Sequence, residues 1–143
     1  MLTAFLKRKH MSDNKREVIV ISRVYSNGLA VARSLGAAGY TVYYIASSNK
    51  KGSNDIVRRS KYVRKFREVV SAKEADGKDS RLLINAIMKF AKEDGEKPLL
   101  FTADDFTTSI IDNNRDILSE HFLMPYIEGG KQGDIAALMN KTV

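Results

Sequence analysis

Three short segments of this chain hold side chains able to do chemistry, and each follows an apolar run. Arg23-Val-Tyr-Ser-Asn-Gly28 comes after Glu17-Val-Ile-Val-Ile-Ser22, and Ser47-Ser48 comes after Thr41-Val-Tyr-Tyr-Ile-Ala46. Thr102-Ala-Asp-Asp105 closes Pro98-Leu-Leu-Phe-Thr102. A helix beginning near Gly28 would aim its first free amides at whatever lies before it, an arrangement that favours an anionic group. Asn27-Gly28 would equally serve as a sharp strand-to-helix turn. The neighbouring carboxylates Asp104 and Asp105 could bind Mg²⁺, hold an ammonium or act as a base. One of them could instead cap the following helix.

Other chemistries find little footing. His10 and His121 are the only histidines and the chain has no cysteine. Thiolate metal sites and disulfides are therefore excluded, and a reducing, cytoplasmic setting is expected. Neither a G-x-S-x-G elbow nor a G-x-x-x-x-G-K-[ST] loop occurs. A dinucleotide fingerprint needs one glycine to bend the turn and another to admit pyrophosphate. Here Gly28 alone lies in the turn, and Ile45-Ala-Ser-Ser48 stands where an acid would meet the ribose. NADP fits better than NAD, since Ser47, Ser48 and Lys50 could meet a 2′-phosphate. A stand-alone NADP-binding oxidoreductase or sugar-nucleotide module is therefore an alternative reading.

The elements that must position these loops follow from the apolar pattern. The continuous apolar, β-branched run Glu17–Ser22 predicts a strand buried on both faces; Thr41–Ala46 predicts a second buried strand and Pro98–Thr102 a further core strand. Tyr62–Val70 predicts a strand towards an edge, since Arg64 and Lys65 interrupt it. Helices are expected over Gly28–Gly39, capped by Ser26 or Asn27, and from Ser80 to about Asp94. Another should open at Asp104 or Asp105 and carry Phe106, Ile110 and Ile111. Short helical stretches are expected at Asp55–Ser60, Arg115–Glu120 and Asp134–Asn140, with a brief fifth strand at Phe122–Met124. Alternating strands and helices predict an α/β, Rossmann-like, mainly parallel sheet of four or five strands flanked by helices. In such sheets ligands sit beyond the carboxyl ends of the strands, where the strand order reverses.

The 143 residues suit one domain, and 43% apolar with 29% charged residues excludes a disordered chain. No apolar run approaches the roughly 20 residues that span a bilayer. Residues 1–15 read as a disordered basic arm, or as an upstream start with translation beginning at Met11. The formal charge of +7 is concentrated. Lys50, Lys51, Arg58, Arg59, Lys61, Arg64, Lys65 and Arg67 face Asp55 alone within 50–67, whereas 68–143 is net acidic. This cluster reads as a solvated connection rather than a stripe for nucleic acid, because aromatics do not interleave it on a recognition helix. A non-enzymatic module holding nucleic acid or a partner through this cluster is the third reading. Edge pairing near Tyr62 leaves a homodimer open.

The order of features resembles a known family. Ser26-Asn-Gly-Leu-Ala-Val-Ala-Arg-Ser-Leu-Gly36 is followed by Ser60-Lys-Tyr-Val63, by Thr102-Ala-Asp-Asp105 before Ile110-Ile-Asp-Asn-Asn114, and by Ala137-Leu-Met-Asn-Lys141. This resembles the pre-ATP-grasp domain of ATP-grasp carboxylate–amine ligases, the group with carbamoyl-phosphate-synthase-like and D-aspartate-ligase-like members. The resemblance spans about residues 16–143. In that family a Leu-x-Asp-Lys element marks the junction to the ATP-grasp module, and here Asn140 stands in place of the acid. The resemblance implies a full protein that activates a carboxylate as an acyl phosphate with Mg-ATP before an amine attacks it. It implies that this chain is a non-catalytic fragment holding no cofactor or metal itself, with Mg-ATP bound by a C-terminal ATP-grasp module of the same protein. On the family's pattern Tyr25, Ser26, Asn27, Gly28, Ser47, Thr102, Asp104 and Asp105 would face the carboxylate or amine substrate.

Overall fold

A computed structural model describes residues 16–70, 77–125 and 128–139, with no side-chain description at 77–79. The expected basic arm, most of the loop before Ser80 and the Asn140-Lys141 junction lie outside the described residues. Four parallel strands form one sheet: β1 (Glu17–Ser22), β2 (Thr41–Ser48), β3 (Val63–Val70) and β4 (Leu99–Thr102). Their order is β3-β2-β1-β4, so the chain steps outward from β1 to β3 and then returns to the other side of β1. The order therefore reverses between β1 and β4.

Strand alternation divides the core in two. Val18 and Val20 of β1, with Val42, Tyr44 and Ala46 of β2, pack against Leu29 and Ala32 of α1 (Tyr25–Ala37) and Val57 of α2 (Asp55–Arg58). Ile19, Ile21 and Ile45 face the opposite way. They meet Leu83 and Ile87 of α3 (Gly77–Met88), Ile110 and Ile111 of α4 (Asp105–Asn113), and Leu118 of α5 (Arg115–Leu118). Both faces of the central strand are thus covered, which explains its unbroken apolar sequence. The crossovers β1–β2 and β2–β3 use one face, and β3–β4 uses the other. That is how connections of a single hand must run when the direction of winding reverses.

Several boundaries differ from the sequence expectation, each for a local reason. α1 begins at Tyr25, three residues before Gly28, with extended Val24 in front of it and no side-chain cap from Ser26 or Asn27. Gly28 is already inside the helix, because its bare Cα is what lies against Tyr44. Tyr40 N donates to Leu35 O (3.1 Å) and Gly39 N to Gly36 O (3.1 Å), the paired bonds of a Schellman end. Gly39 supplies the positive φ of +101° that this end requires.

α3 stops at Met88 rather than near Asp94. Phe90 turns out to lie against Tyr43, ring centroids 5.3 Å apart, and Lys92 Nζ reaches Glu17 Oε2 at 2.8 Å. The chain leaves the helix to pin the start of β1. The expected fifth strand at Phe122–Met124 is a single parallel bridge, Leu99 with Leu123. Leu100 N donates to Leu123 O (2.8 Å) and Leu123 N to Pro98 O (2.9 Å). Pro125, lacking an N–H, cannot extend the ladder. The last helix, α6 (Asp134–Met139), is held on α4 by Asp112, buried to 1% exposure. Asp112 Oδ2 accepts from Ala136 N (2.9 Å), and Oδ1 accepts from Arg115 Nε (2.8 Å). No helix among the described residues is long and apolar enough to cross a membrane.

Candidate functional site

The strand order reverses between β1 and β4, the point at which sheets of this kind leave a crevice beyond the carboxyl ends of their strands. Asp104 holds its two sides together. As N-cap of α4 its Oδ1 accepts from Thr107 N (2.8 Å) and Thr107 Oγ1 (3.1 Å). Its Oδ2 accepts from Arg23 N (2.6 Å) and lies 3.0 Å from Ser22 Oγ, both at the end of β1. The Ser22 hydroxyl has Val24 O at 2.8 Å as its other acceptor and can donate to one of them at a time. Of the two adjacent acids, Asp104 is the structural one, with both oxygens engaged. Asp105 is exposed on the first turn of α4 and is the carboxylate left to face solvent.

The opposite wall is the start of α1. Gly28 N donates to Val24 O at 3.1 Å, so the amides of Tyr25, Ser26 and Asn27 precede the first bond of the helix. No side chain caps them, and the three residues are exposed. The positive end of a 13-residue helix therefore faces the crevice. Arg23 lies beside it, its guanidinium carbon 4.1 Å from the centre of the Phe106 ring on α4. Stacking fixes the guanidinium plane, worth about 0.5–2 kcal/mol for such a pair. Arg23 Nη1 is buried and lacks a hydrogen-bond partner, an uncommon state for a cationic donor. The sequence places Arg23 in the first candidate loop without assigning it a role, although its position at the end of a buried strand is a usable signal.

Beneath α1, Tyr44 is fully buried and its hydroxyl has no hydrogen-bond partner. Burial pushes its pKa up to about 12; the nearby Ser22 hydroxyl opposes the shift and the Asp104 charge adds to it. A Cβ on Gly28 would collide with the Tyr44 hydroxyl and come 2.8 Å from Ser22 Cβ. Gly28 is therefore a packing residue that seats α1 low enough to present its amides.

Thr102 and Ser47 sit apart from this wall. Thr102 pairs hydroxyl to hydroxyl with Thr108, whose Oγ1 donates to Asp104 O at 2.7 Å. Ser47 is buried, at 2% exposure, on the α3 side of the sheet. Its neighbour Ser48, a candidate for a 2′-phosphate, is engaged elsewhere. Ser48 Oγ donates to Glu68 Oε2 (2.9 Å) and accepts from Asn54 Nδ2 (2.9 Å), and Glu68 Oε1 also accepts from Gly52 N (3.1 Å). This carboxylate of β3 fastens the loop after β2. It was not singled out from sequence, because an acid within a basic strand reads as one more surface charge.

The structure thus places exposed Tyr25, Ser26 and Asn27 at the start of α1 after β1 and Asp104 and Asp105 at the start of α4 after β4, with Arg23 joined to Asp104 and Phe106 and Gly28 turned into the core against Tyr44. Among the described residues no group of three or more histidines or acids gathers as a metal site. Comparison with protein-family models, curated proteins and solved structures returned no match.

Proposed function

We propose that this domain forms the substrate-side wall of an ATP-dependent ligase that joins a carboxylate to an amine. The observation that carries the reading is the uncapped start of α1 beside Arg23 Nη1, a buried donor without an acceptor. A carboxylate seated there would accept from the amides of Tyr25–Asn27 and from the guanidinium, matching charge, dipole and donor geometry together. Asp105, free on the facing helix, would hold the cationic end of an amino-acid substrate. The order of sequence features shared with pre-ATP-grasp domains supports the same reading.

In the whole enzyme, Mg-ATP held by an ATP-grasp module would supply the phosphoryl group that turns the carboxylate into an acyl phosphate. The amine would then attack the carbonyl carbon, with phosphate leaving and the amine losing a proton. This domain's part would be to bind and orient the acid, a contribution through positioning rather than bond making.

The test is a thermal-shift and calorimetric screen of the 143-residue chain. Succinate and aspartate should raise the melting temperature at concentrations of about a millimolar, and Arg23→Ala should remove the effect. Tight binding of Mg-ATP by this chain, or a shift of several degrees with NADP(H) and none with the acids, would contradict the proposal.

A further inference from the structure

The eight basic residues of 50–67 are all exposed, yet they do not share one solvated connection. Lys50 and Lys51 follow β2, Arg58 and Arg59 close α2, and Arg64, Lys65 and Arg67 lie on β3 itself. Because β3 ends the sheet, folding gathers this charge along one border. Among the described residues Asp55 is the sole acid paired with the set, 3.6 Å from Arg58. Beside β3, towards α3, runs an open groove of about 640 Å³ lined by Arg67, Glu68, Val69, Val70, Leu82 and Lys89 among others, the Glu68 carboxylate being held by Ser48 Oγ and Gly52 N. Val70 and Leu82 are exposed to 45% and 46%.

We propose that this border docks an acidic, extended segment of a partner protein, added as a strand beside β3. An edge strand presents outward N–H and C=O groups in a row, and an extended peptide satisfies them along its length. Successive side chains of the added strand would point to opposite faces. Its carboxylates, on the face towards α3, would meet Lys65, Arg67 and Lys89 around the groove, and its alternate apolar side chains would lie on the other face beside Val70. Charge selects this occupant over the others. A second copy of β3 would set Arg64, Lys65 and Arg67 against like charges, which is destabilising across a strand pair. A single-stranded nucleic acid needs exposed aromatic faces for its bases. Here Phe66 is stacked on Tyr44, centroids 5.9 Å apart, and Tyr62 is packed on Gly36. The inference stands independently of the ligase reading, since it concerns the opposite border of the sheet from β4.

The experiment uses the full chain and a fluorescein-labelled octapeptide alternating Glu and Val. A Lys–Val octapeptide and an oligothymidylate of similar length serve as the other arms. Anisotropy should show binding of the Glu–Val peptide alone, persisting at physiological salt. The double variant Arg67→Glu/Lys89→Glu, its fold checked by circular dichroism, should weaken binding about tenfold or more. Amide hydrogen exchange within β3 should slow in the complex. Absence of binding, or β3 amides unprotected by the bound peptide, would overturn the proposal. So would preferential capture of the oligothymidylate with a steep loss in salt.

Discussion

Gly28 and Tyr44 together set how closely α1 approaches the sheet. Adding a methyl group at Gly28 drives it into the Tyr44 ring and Ser22, so Gly28→Ala should destabilise by about 1–3 kcal/mol. Tyr44→Phe deletes a buried hydroxyl that has no partner, and should be neutral or stabilising by about 1 kcal/mol. Because the hydroxyl is what the new methyl group strikes, the double variant should recover part of the loss, a coupling that urea denaturation can measure. The same hydroxyl gives a pH signature. Its pKa is about 12 in the folded chain against an ordinary 10.0. The unfolded chain therefore releases the proton first, and stability falls as pH rises from about 10 to 12 by roughly 2–3 kcal/mol. Tyr44→Phe should flatten that segment of the profile. Asp104→Ala removes a helix cap and the tie to β1 together, and should cost about 2–3 kcal/mol. That one of two adjacent acids caps α4 was legible from their place after a strand. Which one does so was not, because the choice depends on Ser22 and Arg23, some 80 positions away in sequence.

β1 was legible to the residue because a β-branched run buried on both faces leaves little latitude; β2 runs two residues past Ala46, Phe101 of the expected core strand β4 is 41% exposed, and the expected strand at Phe122–Met124 is a single bridge. Helix boundaries were less so. Gly28 suggested a turn, whereas its missing side chain serves contact with Tyr44 from within α1. The apolar period after Met88 suggested more helix, but Phe90 and Lys92 are drawn away to Tyr43 and Glu17. Periodicity reports which face is apolar and not which neighbour the side chain reaches. The attachment of α6 to α4 is another long-range contact that local pattern does not reveal. Asp112 serves both Ala136 N and Arg115, the latter only 16% exposed in its side chain. Asp112→Ala should therefore cost about 2–4 kcal/mol and leave a half-buried cation without its partner. Hydrogen exchange should show amides of α6 opening faster, while those of β1 and β2 retain their protection relative to global unfolding.

At the scale of the molecule, folding separates two kinds of surface that the sequence places in one continuous series. The β3 border collects the basic residues, and the crevice between β1 and β4 collects an uncapped helix, a fixed guanidinium and a free carboxylate. The α/β class and the reversal of winding followed from the alternation of strands and helices. The convergence of Arg23 and the start of α1 with Asp104 and Phe106 followed only from the strand order. The most direct measurement of this crevice is an amide-resolved NMR titration of the ¹⁵N-labelled chain with succinate. The amides of Tyr25, Ser26 and Asn27 should shift together with the Arg23 side-chain Nε–H, and Arg23→Gln should weaken binding about tenfold or more. Shifts confined to the basic border at β3, or none at Tyr25–Asn27 at saturating acid, would contradict a carboxylate site at the head of α1.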